Sequence, residues 1–251
     1  MKPGLYTAQL GDIPLLWAQP AAGGPHRLIL WLHAFSWSKE DVEPHLVELA
    51  SRGFVALTWD LPQHGSRSKE TRDRLKQRVR ADLRHHFWPI LGRGVNEVPR
   101  VIDWANAQLE VQPQVAIGGV SMGGDIAVAA AGIDRRIDLV ATALATPDWL
   151  RPGSQESQGS AEAIGDAFYR RLDPITHLER YADRPRFLFV CGDDDRQVPP
   201  ESAAVFLKAL DGSGGDSRRG LTLKRESSVA HRFTPWMFDQ IVGWFVENQN
   251  S

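Results

Sequence analysis

The chain of 251 residues has a single cysteine, Cys191, so no intrachain disulfide can form. That thiol sits at the end of the apolar run 187–190, the setting of a small buried side chain. No stretch has the uninterrupted apolar length that a bilayer span needs. The start of the chain also lacks an apolar secretion core; its nearest candidate, 13–18, is short and follows Asp12. Together these point to a reduced, cytoplasmic setting with no membrane partner. A charge excess is missing too: the formal net charge is -2, which offers no basic field to nucleic acid. The local basic clusters, such as Arg78-Val79-Arg80 and Arg218-Arg219, are short enough to be solvated faces. Internal repeats and heptad arrays are absent, which removes solenoids and coiled coils.

The remainder is ordinary for a globular protein, at 42% hydrophobic and 24% charged residues. The length suits one α/β domain over 1–251. Short strands are expected within 5–19. Near-continuous apolar runs at 27–32, 54–59, 115–117, 139–145 and 187–190 have the pattern of strands covered on both faces, and 221–224 is the last strand. Helical spacing fills the gaps: 38–52, with Ser38 as N-cap; a charged stretch over 69–84 that ends near Pro89; 99–109; 126–131; and 234–247. Alternating strands and helices predict a mostly parallel sheet with helices on both faces. Two segments break that rhythm. Residues 151–161, rich in Gly, Ser and Gln, introduce a helical excursion to about 183 that forms a small cap over the site. Residues 211–220 have the composition of a mobile polar loop.

The most informative stretch is Gly119-Val120-Ser121-Met122-Gly123. It reads G-x-S-x-G between a predicted strand and a predicted helix, the setting in which a serine is exposed at the strand end as a nucleophile. Glycine on either side lets strand and helix approach where a Cβ would clash. The same motif is compatible with a purely structural turn, so the remaining groups decide. A serine hydroxyl needs a general base, and that base needs a carboxylate to fix its tautomer. In the order serine, acid, histidine that this motif carries in α/β-hydrolases, which this stretch resembles, His231 is the only histidine after the acidic cluster. The acid candidates are Asp148, Asp193, Asp194 and Asp195. The run of three aspartates could also be a solvated turn or a metal site, but no histidine or carboxylate is spaced to complete metal ligation.

Asp195 is followed by Arg196-Gln197-Val198-Pro199, which with Gly192 completes a G-x-x-D-x-x-V-P pattern. Here the chain resembles the α/β-hydrolase superfamily. The other matching stretches are Leu32-His33-Ala34-Phe35-Ser36, Asp60-Leu61-Pro62-Gln63-His64-Gly65-Ser66-Arg67 and Ala230-His231-Arg232-Phe233-Thr234-Pro235. In combination they resemble small bacterial serine esterases near the dienelactone-hydrolase and prolyl-oligopeptidase-like branches, over nearly the whole chain. The resemblance implies an eight-stranded α/β-hydrolase fold and a triad of Ser121, Asp195 and His231. It places oxyanion donors at the backbone N–H groups of Phe35 and Met122, and a structural role on His64.

Two departures matter. Serine replaces the cysteine nucleophile of dienelactone hydrolase. Ala34 replaces the usual glycine after the histidine, which would strain the loop if that position required positive φ. The implied activity is cofactor-free hydrolysis of carboxylic esters with short to medium acyl chains; thioester and small amide hydrolysis use the same groups. A non-catalytic binding protein is the alternative outside enzymes, and the absence of a propeller argues against gated peptide cleavage. Nine tryptophans enrich the sequence, and Trp37 and Trp149 follow site-forming strands. They are the candidates to touch a small-molecule ester, with Phe87 and Trp88 near the mouth.

Overall fold

The protein is described by a computed structural model that covers residues 3–182, 184–212 and 220–249. Eight strands form one sheet: β1 (Gly4–Leu10), β2 (Ile13–Gln19), β3 (His26–Leu32), β4 (Val55–Trp59), β5 (Val111–Val120), β6 (Ile137–Ala143), β7 (Arg186–Gly192) and β8 (Leu221–Glu226). Their order is β1-β2-β4-β3-β5-β6-β7-β8. β1 pairs with β2, and β2 with β4, antiparallel; every later pairing is parallel. This is the α/β-hydrolase architecture. Seven α-helices accompany it among the described residues: α1 (Glu43–Ser51), α2 (Arg72–Ala81), α3 (Leu83–Gln108), α4 (Met122–Ala131), α5 (Ala163–Leu172), α6 (Glu201–Gly212) and α7 (Pro235–Glu247).

Period-two alternation in the strands sorts the side chains into two cores. Leu28, Leu30 and Leu32 of β3 pack with α3, α4 and α6 on one face. Ile29 and Trp31 pack with α1 and α7 on the other. Both faces are dry, which is why the parallel strands are apolar throughout.

Tertiary packing overrides local propensity around α3. Pro89 does not end the helix; both Pro89 and Pro99 lie inside Leu83–Gln108. The break falls earlier, at Asp82, whose carboxylate accepts the His85 N–H at 3.0 Å and caps α3. An internal proline removes one backbone hydrogen bond, but Phe87, Trp88, Ile90 and Leu91 beside Pro89 are almost fully buried and hold the helix in register. Ser38 caps a short 3-10 turn, Lys39–Val42, and α1 starts only after it. A helix over 201–212 is not among the sequence expectations, although Ala203, Phe206, Leu207 and Leu210 have helical spacing and are buried. It takes up residues 211 and 212 of the expected polar loop, and 213–219 lie outside the described residues.

The segment between β6 and β7 carries α5 back onto α3. At Gly92 the approach is so close that an added Cβ would sit 2.1 Å from Cγ of Phe168. Trp88 of α3 stacks on Tyr169 of α5, with ring centroids 4.6 Å apart. Asp173, just past α5, fastens the same segment: its Oδ1 accepts the Trp149 N–H at 2.8 Å.

Burial pushes the Asp173 carboxyl up from 3.8 to about 7. A carboxyl raised on folding binds its proton more tightly in the native state, so its contribution to stability declines as pH rises from about 4 to about 7. Asp173→Asn, which keeps an acceptor for Trp149, should therefore be more stable than the parent at pH 8 and gain nothing at pH 4. Urea midpoints at both pH values test this; an equal difference at the two would remove Asp173 as the titrating group.

Candidate active site

The carboxyl ends of β3, β5, β6, β7 and β8 open at one edge of the sheet, and the loops leaving them build a cleft. At the end of β5 the chain turns sharply through Ser121, which has φ 50° and ψ -115°, and enters α4. This left-handed serine is strained. It is held by its own N–H, bonded to the Ala143 carbonyl at 2.8 Å, and by its carbonyl, which accepts from Asp125 N at 2.9 Å. The flanking glycines are required by the space. A Cβ on Gly123 would lie 2.4 Å from the Leu32 carbonyl oxygen, and one on Gly119 would lie 2.7 Å from the same atom.

Ser121 Oγ donates to His231 Nε2 at 3.0 Å, and His231 Nδ1 donates to Asp195 Oδ2 at 2.6 Å. The other oxygen of Asp195 accepts from the backbone N–H groups of Gln197 and Val198 at 3.0 and 2.9 Å. Asp195 is 3% exposed, whereas Asp193 and Asp194 face solvent. The fourth acid candidate, Asp148, accepts from Leu150 N and stays with its own turn. The His231 loop and the acid turn are laced side by side: Asp193 N donates to Glu226 O and Asp194 N to Val229 O, both at 3.0 Å. Thr234 Oγ1 donates to Glu226 Oε2 at 2.6 Å and closes the base of the His231 loop.

The loop after β3 runs along the opposite wall. Its left-handed residue is Ser36, with φ 66°, and not Ala34. Alanine is therefore unstrained there, and a glycine is not needed. His33 is fully buried and bridges two strand ends: Nδ1 donates to the Ala34 carbonyl at 2.8 Å, and Nε2 accepts from Leu61 N at 3.0 Å. Burial pushes this imidazole down to about 4, so it stays neutral with its proton on Nδ1. Asp60 secures the next residues, accepting from Lys39 N and Ser66 N, each at 2.9 Å. Burial opposes that charge, but the hydrogen bonds win and hold the carboxyl below its usual range. His64 donates from Nδ1 to Pro62 O, is 2% exposed, and packs edge-on to Phe35. Burial pushes it down to about 3. It packs behind Phe35 and is not among the residues lining the cleft.

Phe35 and Trp37 line the same cleft as Ser121 and His231, together with Phe87, Leu144 and Phe233. Met122 is the first residue of α4, so its N–H belongs to the helix's unpaired first turn beside Ser121. Trp149 does not reach the cleft. It is 1% exposed, with its N–H on Asp173 and its carbonyl accepting from Trp88 Nε1, because the segment after β6 turns it into the core. Trp88 is likewise buried against Tyr169. Among the described residues no group of three His, Cys, Asp or Glu side chains gathers to hold a metal ion. Burial pushes the Cys191 thiol up to about 12, and it takes no part in the cleft.

Sequence reasoning missed an ion network in the wall of the cleft. Arg151, 6% exposed and left-handed at φ 48°, donates from Nη2 to Asp125 Oδ2 at 2.8 Å and from Nη1 to Glu156 Oε2 at 2.7 Å. Glu156 Oε1 accepts from Gln197 Nε2 at 2.9 Å, and the backbone of Gln197 is a donor to Asp195. The guanidinium also lies 5.0 Å above the Phe87 ring. The helix that follows Ser121, the segment after β6 and the acid turn are thus tied through one side chain. No local pattern announces Arg151; its partners are 26 and 5 residues away in sequence.

Burial raises the Asp125 carboxyl above its usual range, against the pull of Arg151. Arg151→Met should leave that carboxylate buried and unpaired, at a cost of roughly 3–5 kcal/mol near pH 7. Because a raised carboxyl stabilises the fold as pH falls, part of the loss should return by pH 5 as Asp125 takes up a proton. Denaturant midpoints of parent and variant at the two pH values read this directly. A loss that does not change with pH would mean Asp125 stays ionised without its partner.

The whole chain can be set beside known proteins. It is 30% identical over 260 residues to Esterase YjfP of Escherichia coli strain K12, spanning 96% of this chain and 97% of that protein. Its fold matches TT1662 from Thermus thermophilus with a TM-score of 0.81 at 23% identity, each chain covered in full. A cold-adapted esterase from an Arctic intertidal metagenomic library superposes with a TM-score of 0.66 at 18% identity, over 98% of this chain and 93% of that one. No helix among the described residues is long and apolar enough to cross a membrane. The profile of the prolyl oligopeptidase family matches residues 91–250, which span Ser121, Asp195 and His231. The chain belongs to the prolyl oligopeptidase family and is a serine hydrolase of the esterase or peptidase type.

Proposed function

We propose that the protein hydrolyses carboxylic esters with short to medium acyl chains through a covalent acyl-serine intermediate. The observation that carries the reading is the continuous hydrogen-bonded line Ser121 Oγ, His231, Asp195 at the floor of a cleft walled by Phe35, Phe87, Leu144 and Phe233. His231 Nε2 accepts the Ser121 proton as Oγ attacks the ester carbonyl, and Asp195 steadies the imidazolium that forms. The backbone N–H groups of Phe35 and Met122 receive the charge that develops on the carbonyl oxygen, each such donor supplying roughly 2.7–4 kcal/mol of transition-state stabilisation. His231 then protonates the departing alkoxide. A water molecule, deprotonated by His231, attacks the acyl-enzyme and releases the acid and free Ser121. The chemistry requires no cofactor, and all three groups are on one chain. Similarity to Esterase YjfP along nearly the full length of both chains supports the ester over the amide. The family's name supports keeping an amide in the substrate panel.

Ser121→Ala should lose labelling by a fluorophosphonate probe, and its turnover of a nitrophenyl ester should fall about a millionfold. Asp195→Asn should reduce turnover severely, with Asp194→Asn as the comparison that retains it. Labelling that persists on Ser121→Ala would move the nucleophile elsewhere. Faster cleavage of a nitroanilide than of the matched nitrophenyl ester would make the enzyme a peptidase.

A further inference from the structure

We infer that Lys76 and Arg80 form an anion-recognition pair at the cleft, so that the favoured ester carries a carboxylate or phosphate joined to its acyl carbon by a short apolar spacer. This specificity rests on the hydrolase reading above. α2 is strongly basic, with Arg72, Arg74, Lys76, Arg78 and Arg80. Two of these are held by acidic partners away from the cleft: Arg72 donates to Asp41 at 2.6 Å, and Arg78 to Glu70 through Nε at 3.1 Å and to Gln63 at 2.7 Å. The two that line the cleft are Lys76 and Arg80. Among the described residues Lys76 has only Asp73 at 4.0 Å, a carboxylate that is 97% exposed, and such a contact holds charge weakly. Arg80 has no ion-pair or hydrogen-bond partner for its side chain among the described residues.

The rest of the lining does not neutralise them. Its single carboxylate among the described residues, Glu156, has one oxygen on Arg151 and the other on Gln197. The second terminal nitrogen of Arg151 is taken by Asp125, so that guanidinium is internally matched. His231 is occupied by Ser121 and Asp195. Residues 76 and 80 are one helical turn apart and face the same way, a separation of about 6 Å that suits two oxygens of one oxyanion. Val79 lies on the same face, and Leu83 opens α3; both line the cleft and are buried. The wall therefore changes from apolar within to cationic at the exposed side chains. An ester whose chain crosses Val79 and Leu83 before ending in an anion meets both parts.

Matched nitrophenyl esters test the assignment: the hemiglutarate, its neutral methyl ester, and the 4-phosphonobutyrate. The kcat/KM ratio of anionic to neutral ester should be about tenfold at low ionic strength, the size of two exposed charge contacts. It should reside mainly in KM and shrink toward unity in 1 M salt, where the screening length is about 3 Å. In the double variant Lys76→Met, Arg80→Met the ratio should approach unity, and the larger of the two anionic ratios names the preferred anion. A ratio near unity in the parent, or one that survives in the double variant, overturns the proposal. A parent enzyme that cleaves none of the esters overturns the hydrolase reading instead. Calorimetric binding of the intact hemiglutarate and methyl ester to Ser121→Ala still reads the pair in that case: about tenfold tighter binding of the anion supports it, and equal binding rejects it.

Discussion

The structure depends on how closely the backbone of β5 and α4 can approach β3. Gly119 and Gly123 meet each other and the Leu32 carbonyl at distances no side chain permits. That contact bends the chain through Ser121 into a left-handed conformation and leaves its Oγ at the sheet edge. It also sets the position of the next residue along β3, because Leu32 leads directly into His33 and the loop carrying Phe35. Ser121 and the wall opposite it are therefore placed by one steric fit. Around it, buried polar groups serve as fasteners: His33 ties the β3 loop to Leu61, and Asp60 ties that same region to Lys39 and Ser66. Both are kept in one protonation state by their surroundings, His33 neutral through burial and Asp60 ionised through its hydrogen bonds.

Charge in the cleft is arranged in two tiers. Arg151 is enclosed by Asp125 and Glu156 and sandwiched against Phe87, so it contributes order more than field. Breaking such a buried pair is costly even where forming it yields little net stability. Lys76 and Arg80 are the reverse: Lys76 is part-exposed and Arg80 exposed, both are weakly matched, and both line the cleft. The long segment between β6 and β7 supplies Arg151 and Glu156 of the inner tier and, through Asp173 and Tyr169, is itself anchored to Trp149 and α3.

The order of strands and helices was legible because burial on both sheet faces leaves apolar runs, and helices leave apolar stripes. The G-x-S-x-G turn was legible because its glycines answer a local steric demand. His231 and Asp195 were reachable through chain order and the residues after Asp195. What escaped the sequence had no local signature. Pro89 and Pro99 signal helix ends by propensity, yet the packed side chains around Pro89 carry α3 through it. Ala34 raised a question of strain that disappears once the left-handed position is seen to be Ser36. Trp149 follows a site-forming strand but is drawn inward by Asp173, so its aromatic character adds to the core and not to the cleft.

The sequence by itself thus determined the mostly parallel α/β class and the serine turn, since each follows from periodicity or steric necessity. Only the tertiary structure decided how Arg151 is matched, which aromatics line the cleft, and which of five basic residues on α2 remain without a firm partner there. Those outcomes depend on distances between residues far apart in sequence. Charge compensation and burial are properties of the assembled surroundings, and no residue carries them in its local pattern.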